Sequence, residues 1–267
     1  MEQNNKKNKL DFFSYLGKII IESFEITGFT ILLFFKTIYY IKDIPVKRKE
    51  IIKQMYIAGV KSLVVCSIVA LFTGMILALQ TGIELRKFHQ QAFVGDLVIA
   101  TLTREMGPFI TAIILIASVG SAMAAEIATM KVSDEIDALI MMSISPIKFL
   151  MMPRVVSLAI MLPTVTIYTI FIGTLGGAII SSTQLHVSFD VYYVHVLNAL
   201  KFKAAYVAIL KSFIFGIIIS SFSCSYGFRA KNGAIGVGKA TRSSVIYSFL
   251  MVLISGYFIT SIFYGKG

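Results

Sequence analysis

Five stretches without a single Asp, Glu, Lys or Arg, at residues 62–83, 106–125, 155–189, 212–228 and 243–265, constrain this chain more than any other feature. A bilayer core is about 30 Å thick and a helix rises about 1.5 Å per residue, so an uncharged apolar run of roughly 18 residues marks a spanning helix. The fourth run is the shortest and extends through residues 204–210, with Lys211 expected to snorkel toward the interface. The chain has 267 residues, 57% hydrophobic and 15% charged, where an ordinary soluble domain carries roughly 25% charged. A soluble globule is thereby excluded, and no sizeable catalytic domain fits beside the spans. The expected fold is an all-α integral membrane protein with five transmembrane helices.

The formal net charge of +11 would suit nucleic acid only on a solvated basic face, so the cations read as a topology signal instead. Eighteen of the 25 Lys and Arg fall on one predicted face: eleven before residue 62, then Lys131, Lys148, Arg154, Arg229, Lys231, Lys239 and Arg242. Arg86, Lys87, Lys201, Lys203, Lys211 and Lys266 fall on the other, and Arg104 stands at the start of the second span. The N-terminus is therefore expected in the cytoplasm and the C-terminus outside. Residues 1–7 are basic, but Asp11 and Lys18 interrupt the apolar stretch beyond them and no small-residue cleavage site appears, so no removable signal peptide is expected. Over residues 12–41, Lys18, Glu22 and Glu25 share one helical face opposite Ile20, Phe24 and Ile31, the pattern of a helix lying in the interface. A sixth span over residues 26–41 is the competing reading. The expected division is a tail and interfacial helix over 1–55 and a transmembrane domain over 56–267. Its spans lie near 58–84, 98–126, 150–184, 204–228 and 241–264, with a cytoplasmic helix near 130–146. An odd number of spans and the absence of an internal repeat speak against a carrier of two inverted halves and favour a dimer.

Arg104 and Glu105 sit where the second span is already embedded, and ionisable groups at depth face a partner or a wet cavity. An ion pair that merely ends the helix is the alternative. Gly107-Pro108 introduces a kink. Small residues at 118–125, including Gly120, and at Gly173 and Gly177 permit close helix approach in lipid. No histidine lies inside a span, so intramembrane nucleophilic catalysis is not expected. His89, His186 and His195 lack metal-ligand spacing and read as surface imidazoles, and Cys66 and Cys224 lie in separate apolar runs without a second ligand. In the loop 126–154, Ser133 is the expected N-cap, Asp134 and Glu135 open a helix, Ile136, Leu139 and Ile140 form one stripe, and Ser145-Pro146 ends it. This is either a loop helix on the membrane or a docking helix for a cytoplasmic motor. Residues 233–240, Gly-Ala-Ile-Gly-Val-Gly-Lys-Ala, nearly match a phosphate-binding loop. Ala240 occupies the magnesium-ligating position and no strand precedes, so no nucleotide site is expected here, and if ATP drives this protein another chain must bind it.

The blocks Arg104-Glu105-Met106-Gly107-Pro108, residues 119–139, Pro146–Leu150 and Pro153-Arg154, with Gly173–Gly177 and Gly233–Thr241, resemble the MlaE/YrbE permeases of MCE-type lipid ABC transporters. The resemblance spans about 57–263. It implies a permease of the MlaE-type fold, homodimeric, multi-pass in the cell inner membrane, that moves phospholipid between inner and outer membrane. It implies no bound cofactor, with ATP and Mg held by a partner ATPase, a periplasmic MCE-domain subunit and a small STAS-type accessory subunit. Carried onto matching positions, Leu77, Arg104 and Glu105 would line the lipid cavity, with Leu85 and Phe88 at its rim. Glu126, Met130, Lys131, Asp134, Glu135, Ile136, Asp137 and Leu139 would couple to the ATPase. Ser118-Val119 departs from the family at a position where many members carry arginine. A non-transporting scaffold and an ion-driven carrier using Glu105 and Glu126 are the rival functions.

Overall fold

The computed structural model describes Ile21 and residues 24–265; Lys18, Glu22, Lys266 and the basic residues 1–7 lie outside the described residues. Among the described residues the chain is helical and has five segments long and apolar enough to cross a membrane: Phe24–Arg86, Gln91–Val132, Ile147–Thr183, Phe202–Phe228 and Gly233–Tyr264. We name α1 residues 24–39, α2 Ile44–Ala58, α3 Leu63–Arg86, α4 Val94–Thr101, α5 Gly107–Leu115, α6 Ser121–Val132, α7 Glu135–Met141, α8 Met152–Thr183, α9 Phe189–Ala199, α10 Phe202–Phe228 and α11 Gly233–Tyr264. Helices α4 to α6 are one continuous span, widened by π-helical turns at Leu102–Met106 and Ile116–Gly120.

The bundle is built on the parallel pair α3 and α8, the first and third spans, which touch from Ser67–Tyr168 through Gly74–Gly173 to Gly82–Leu185. Along α3, Cys66, Ala70, Gly74, Ala78 and Gly82 recur every fourth residue and are all buried, a seam of small side chains that lets backbones touch where lipid gives no hydrophobic drive. A Cβ on Gly74 would lie 1.8 Å from the Gly173 carbonyl oxygen, and one on Gly176 would lie 2.2 Å from that of Leu71. A Cβ on Gly177 would meet the hydroxyl of Tyr192 and one on Gly120 that of Ser223. The mid-bundle core joins Leu115, Leu158, Leu162, Phe215, Ile219 and Val252. A second cluster, away from the Lys- and Arg-rich end, gathers Val94, Val98, Leu102, Tyr192 and Val196, with Leu77 and Leu85 packed against it.

At the end rich in Lys and Arg, α1 lies against the bundle: Leu33 joins Ile127, Ile136, Leu150, Val155 and Cys224 in one cluster. Thr30 donates to Ser225 at 2.8 Å, Arg229 pairs with Glu25 at 2.7 Å and Lys148 with Asp43 at 2.9 Å.

Several expectations are corrected. The helix expected near 130–146 is two pieces: Met130 and Lys131 close α6, and α7 starts only at Glu135. Ser133 does not cap it; its N–H bonds Thr129 O and ends α6, and the reversal is made by Asp134 at φ 57°, a left-handed position Asp tolerates. Pro146 does not stop α7, which ends at Met141; it precedes the turn that starts the next span. The apolar stripe divides: Ile136 is buried and Leu139 packs beside it, whereas Ile140, Met141 and Met142 are exposed. Residues 233–241 are not a loop but the first turns of α11, entered through Asn232 and Gly233 at φ 65° and 64°. His195 is not a free surface imidazole: its Nδ1 lies 3.2 Å from both carboxylate oxygens of Asp96 and clips α9 to α4.

Candidate functional site

One polar cluster, centred on a buried lysine, lies in the half of the bundle away from the Lys- and Arg-rich end. Its origin is local. In an α-helical register the amide of residue 108 would bond the carbonyl of Arg104, but Pro108 has no N–H. The preceding turn relaxes into the wide π form, Gly107 N–H bonds Leu102 O, and the Arg104 carbonyl is left for another donor. That donor is Lys211 on α10. Its Nζ reaches Arg104 O at 2.7 Å, Glu105 Oε1 at 2.8 Å and Thr260 Oγ1 at 2.6 Å, so all three ammonium protons are placed. The Thr260 hydroxyl has one proton to give, to Glu105 Oε1 at 2.5 Å or to Gly256 O at 2.8 Å. Lys211 is 1% exposed and does not snorkel, which overturns its assignment to the interface. A charge in a span is tolerated when a carboxylate and hydrogen bonds complete it.

The expected cavity residues divide by location. Arg104 and Glu105 belong to this cluster; Arg104 is exposed, with its guanidinium 5.3 Å from the ring centre of Tyr264, and Glu105 keeps 46% of its side chain exposed. Leu77 and Leu85 are half-buried in the second apolar cluster, and Phe88 is exposed just past the end of α3. An open recess between Arg86, Gln91, His186 and Ser188 contains none of these side chains. Sequence reasoning missed Lys211, Thr260 and Tyr264. A lone lysine within an apolar helix opposite an intramembrane glutamate was the signal available for Lys211; nothing distinguished Thr260 or Tyr264 from other residues of α11.

The basic end has its own ion pairs. Arg154, 7% exposed, donates to Glu126 at 2.8 Å, tying the foot of α8 to α6. Lys131 reaches Asp137 at 2.8 Å and holds α7 against the end of α6, while Asp134 makes the turn between them. Lys131→Ala removes a half-exposed pair and is expected to cost under about 1 kcal/mol overall. It frees α7, so amide exchange should quicken over residues 135–141 and stay unchanged elsewhere. Among the described residues no group of His, Cys, Asp and Glu could hold a metal ion.

The family model "Permease MlaE" matches residues 51–262. The chain belongs to the MlaE permease family. A probable ABC transporter permease protein of Synechocystis sp. is 35% identical over 223 residues, 83% of this chain and 85% of that protein. One from Rickettsia typhi is 34% identical over 255 residues, 96% of this chain and 98% of that protein. The Arabidopsis thaliana protein TRIGALACTOSYLDIACYLGLYCEROL 1, chloroplastic, is 32% identical over 216 residues, 81% of this chain and 62% of that protein. This MlaE-family chain is thus a multi-pass membrane protein and an ABC transporter permease, which is not itself an enzyme and implies an ATPase partner.

Proposed function

We propose that two copies of this permease enclose a cavity for phospholipid, moved between inner and outer membrane as a separate ATPase hydrolyses ATP. The observation that carries the reading is an exposed Arg104 beside the half-exposed Glu105 carboxylate, more than three helical turns inside the second span, which begins at Gln91. Facing hydrocarbon, such groups cost several kcal/mol; facing a headgroup in a cavity between copies, they are solvated. The half-buried Leu77 and Leu85 supply an apolar wall for acyl chains. The Arabidopsis relative's name contains a diacylglycerol lipid, a galactolipid without phosphate, and supports a diacyl lipid as the class of substrate.

In this reading the basic end faces the cytoplasm of a cell with an inner membrane, and the ATPase docks on α7 and its exposed Ile140, Met141 and Met142. Glu126, Met130, Lys131, Asp134, Glu135, Asp137 and the buried Ile136 and Leu139 transmit its movement to α6 and α8 through the Glu126–Arg154 pair. An MCE-domain subunit meets the outer end, and a STAS-type subunit accompanies the ATPase. An ion-driven carrier is disfavoured because Glu105 and Glu126 are each already paired with a buried cation, at opposite ends of one span.

The test is transfer of a fluorescent phospholipid by the complete complex, captured through this chain from its host membrane and reconstituted with ATP. Arg104→Ala is expected to lower transfer by about tenfold, the weight of one hydrogen bond to a charged group, with complex composition unchanged. Full transfer by an intact Arg104→Ala complex would favour a scaffold.

A further inference from the structure

Beside the Glu105–Lys211 pair lies a second set of polar groups with no such completion. The side chain of Tyr264, at the end of α11, is approached by two cations: Arg104 Cζ and Lys203 Nζ each lie 5.3 Å from its ring centre. Among the described residues neither cation has a carboxylate within ion-pair distance, although Lys211 close by is neutralised by Glu105. The Tyr264 hydroxyl is buried and, among the described residues, has no hydrogen-bond partner. A buried donor left unpaired is uncommon and unfavourable. Arg104 on the π turn of the second span and Lys203 at the start of α10 thus meet over one ring at the end of α11, with no carboxylate between them among the described residues.

We propose that Tyr264 is the phosphate-reading residue of the lipid cavity: its hydroxyl donates to a phosphodiester oxygen whose negative charge sits between Arg104 and Lys203. The proposal rests on the lipid-cavity reading and adds to it the part of the headgroup that is recognised and the residue that recognises it. Tyr264 keeps part of its side chain exposed at the last turn of α11, and recognition requires its hydroxyl, buried in this structure, to turn toward the headgroup. A phosphodiester satisfies the hydroxyl and both cations at once. A neutral glycolipid offers acceptors but no charge, and leaves the cations uncompensated. The site therefore discriminates phosphate-bearing from uncharged diacyl lipids, as buried polar groups do when a wrong ligand leaves them unpaired.

The full-length, delipidated protein is titrated in detergent with phosphatidylglycerol, with monogalactosyldiacylglycerol and with inorganic phosphate, and occupancy is read by native mass spectrometry. Tyr264→Phe, which keeps the ring, and Lys203→Gln, at an exposed position, are each expected to weaken phosphatidylglycerol by about tenfold and to leave the galactolipid unchanged, while Lys203→Arg retains binding. Wild-type affinity for phosphatidylglycerol in Tyr264→Phe, or equal loss of both lipids, overturns the proposal. A hydroxyl-dependent response to inorganic phosphate alone overturns its assignment to lipid. Should Tyr264→Phe not fold, Lys203→Gln decides by the same criterion. Leu77→Arg separates the two layers: if it displaces both lipids and Tyr264→Phe displaces neither, the phosphate subsite fails alone. If Leu77→Arg displaces neither, the cavity itself fails.

Discussion

Replacing Glu105 by alanine is expected to lower the stability of the detergent-solubilised protein by about 3–5 kcal/mol, the cost of leaving a buried charge without its partner. The effect comes from Lys211 more than from Glu105. Lys211 is 1% exposed and Glu105 is 46% exposed in their side chains, so removing the carboxylate strands an ammonium that water cannot reach. Two oxygens remain to it, Arg104 O and Thr260 Oγ1, but no charge. The asymmetry makes the test specific. Lys211→Met leaves a carboxylate that water partly solvates and should cost markedly less. The double replacement Glu105→Gln with Lys211→Met should recover most of the loss, since a buried pair replaced as a whole is often nearly neutral. Thermal unfolding followed by circular dichroism measures all three. Equal loss from both single variants would mean that the pair is not buried as described.

Gly74→Ala is expected to cost about 3 kcal/mol, at the upper end of what overpacking usually costs. The new methyl would stand 1.8 Å from the Gly173 carbonyl oxygen and 2.9 Å from the Gly173 Cα, and backbone cannot rotate aside as a side chain would. Helices α3 and α8 must then part along the seam that organises the bundle. Gly238→Ala in α11 is the control, because nothing lies within 4 Å of its new Cβ; there alanine should stabilise by up to about 1 kcal/mol through helix propensity. Melting temperatures moving in opposite directions confirm the seam, and matching small shifts contradict it.

The spans were legible because bilayer thickness and helix rise convert an absence of charge directly into architecture. The Gly173–Gly177 segment was also readable as a close-packing face, whereas the complementary seam on α3 was not singled out, although Ala70, Gly74, Ala78 and Gly82 carry the same four-residue spacing. Arg104 and Glu105 were identifiable by the cost of charge at depth. Their partner was not, since a lysine two to three turns inside a span is equally consistent with snorkelling, and only the carbonyl freed by Pro108 and the placement of Thr260 decide against it. Helix ends misled most: Ser133 had the chemistry of a cap, but closing α6 claimed its amide and the reversal needed the left-handed Asp134. The Gly-rich 233–241 segment had the composition of a loop and became helix because α11 begins as soon as Asn232 and Gly233 have turned the chain.

The most direct measurement of the central claim is the quantity of phospholipid retained by the purified permease after exhaustive detergent washing. Lipid phosphorus and mass spectrometry are compared between the unaltered protein, Arg104→Ala and Leu77→Arg at equal oligomeric state. The account predicts stoichiometric phospholipid in the first and its loss in both variants. Equal retention by all three would contradict a lipid cavity at Arg104, Glu105 and Leu77.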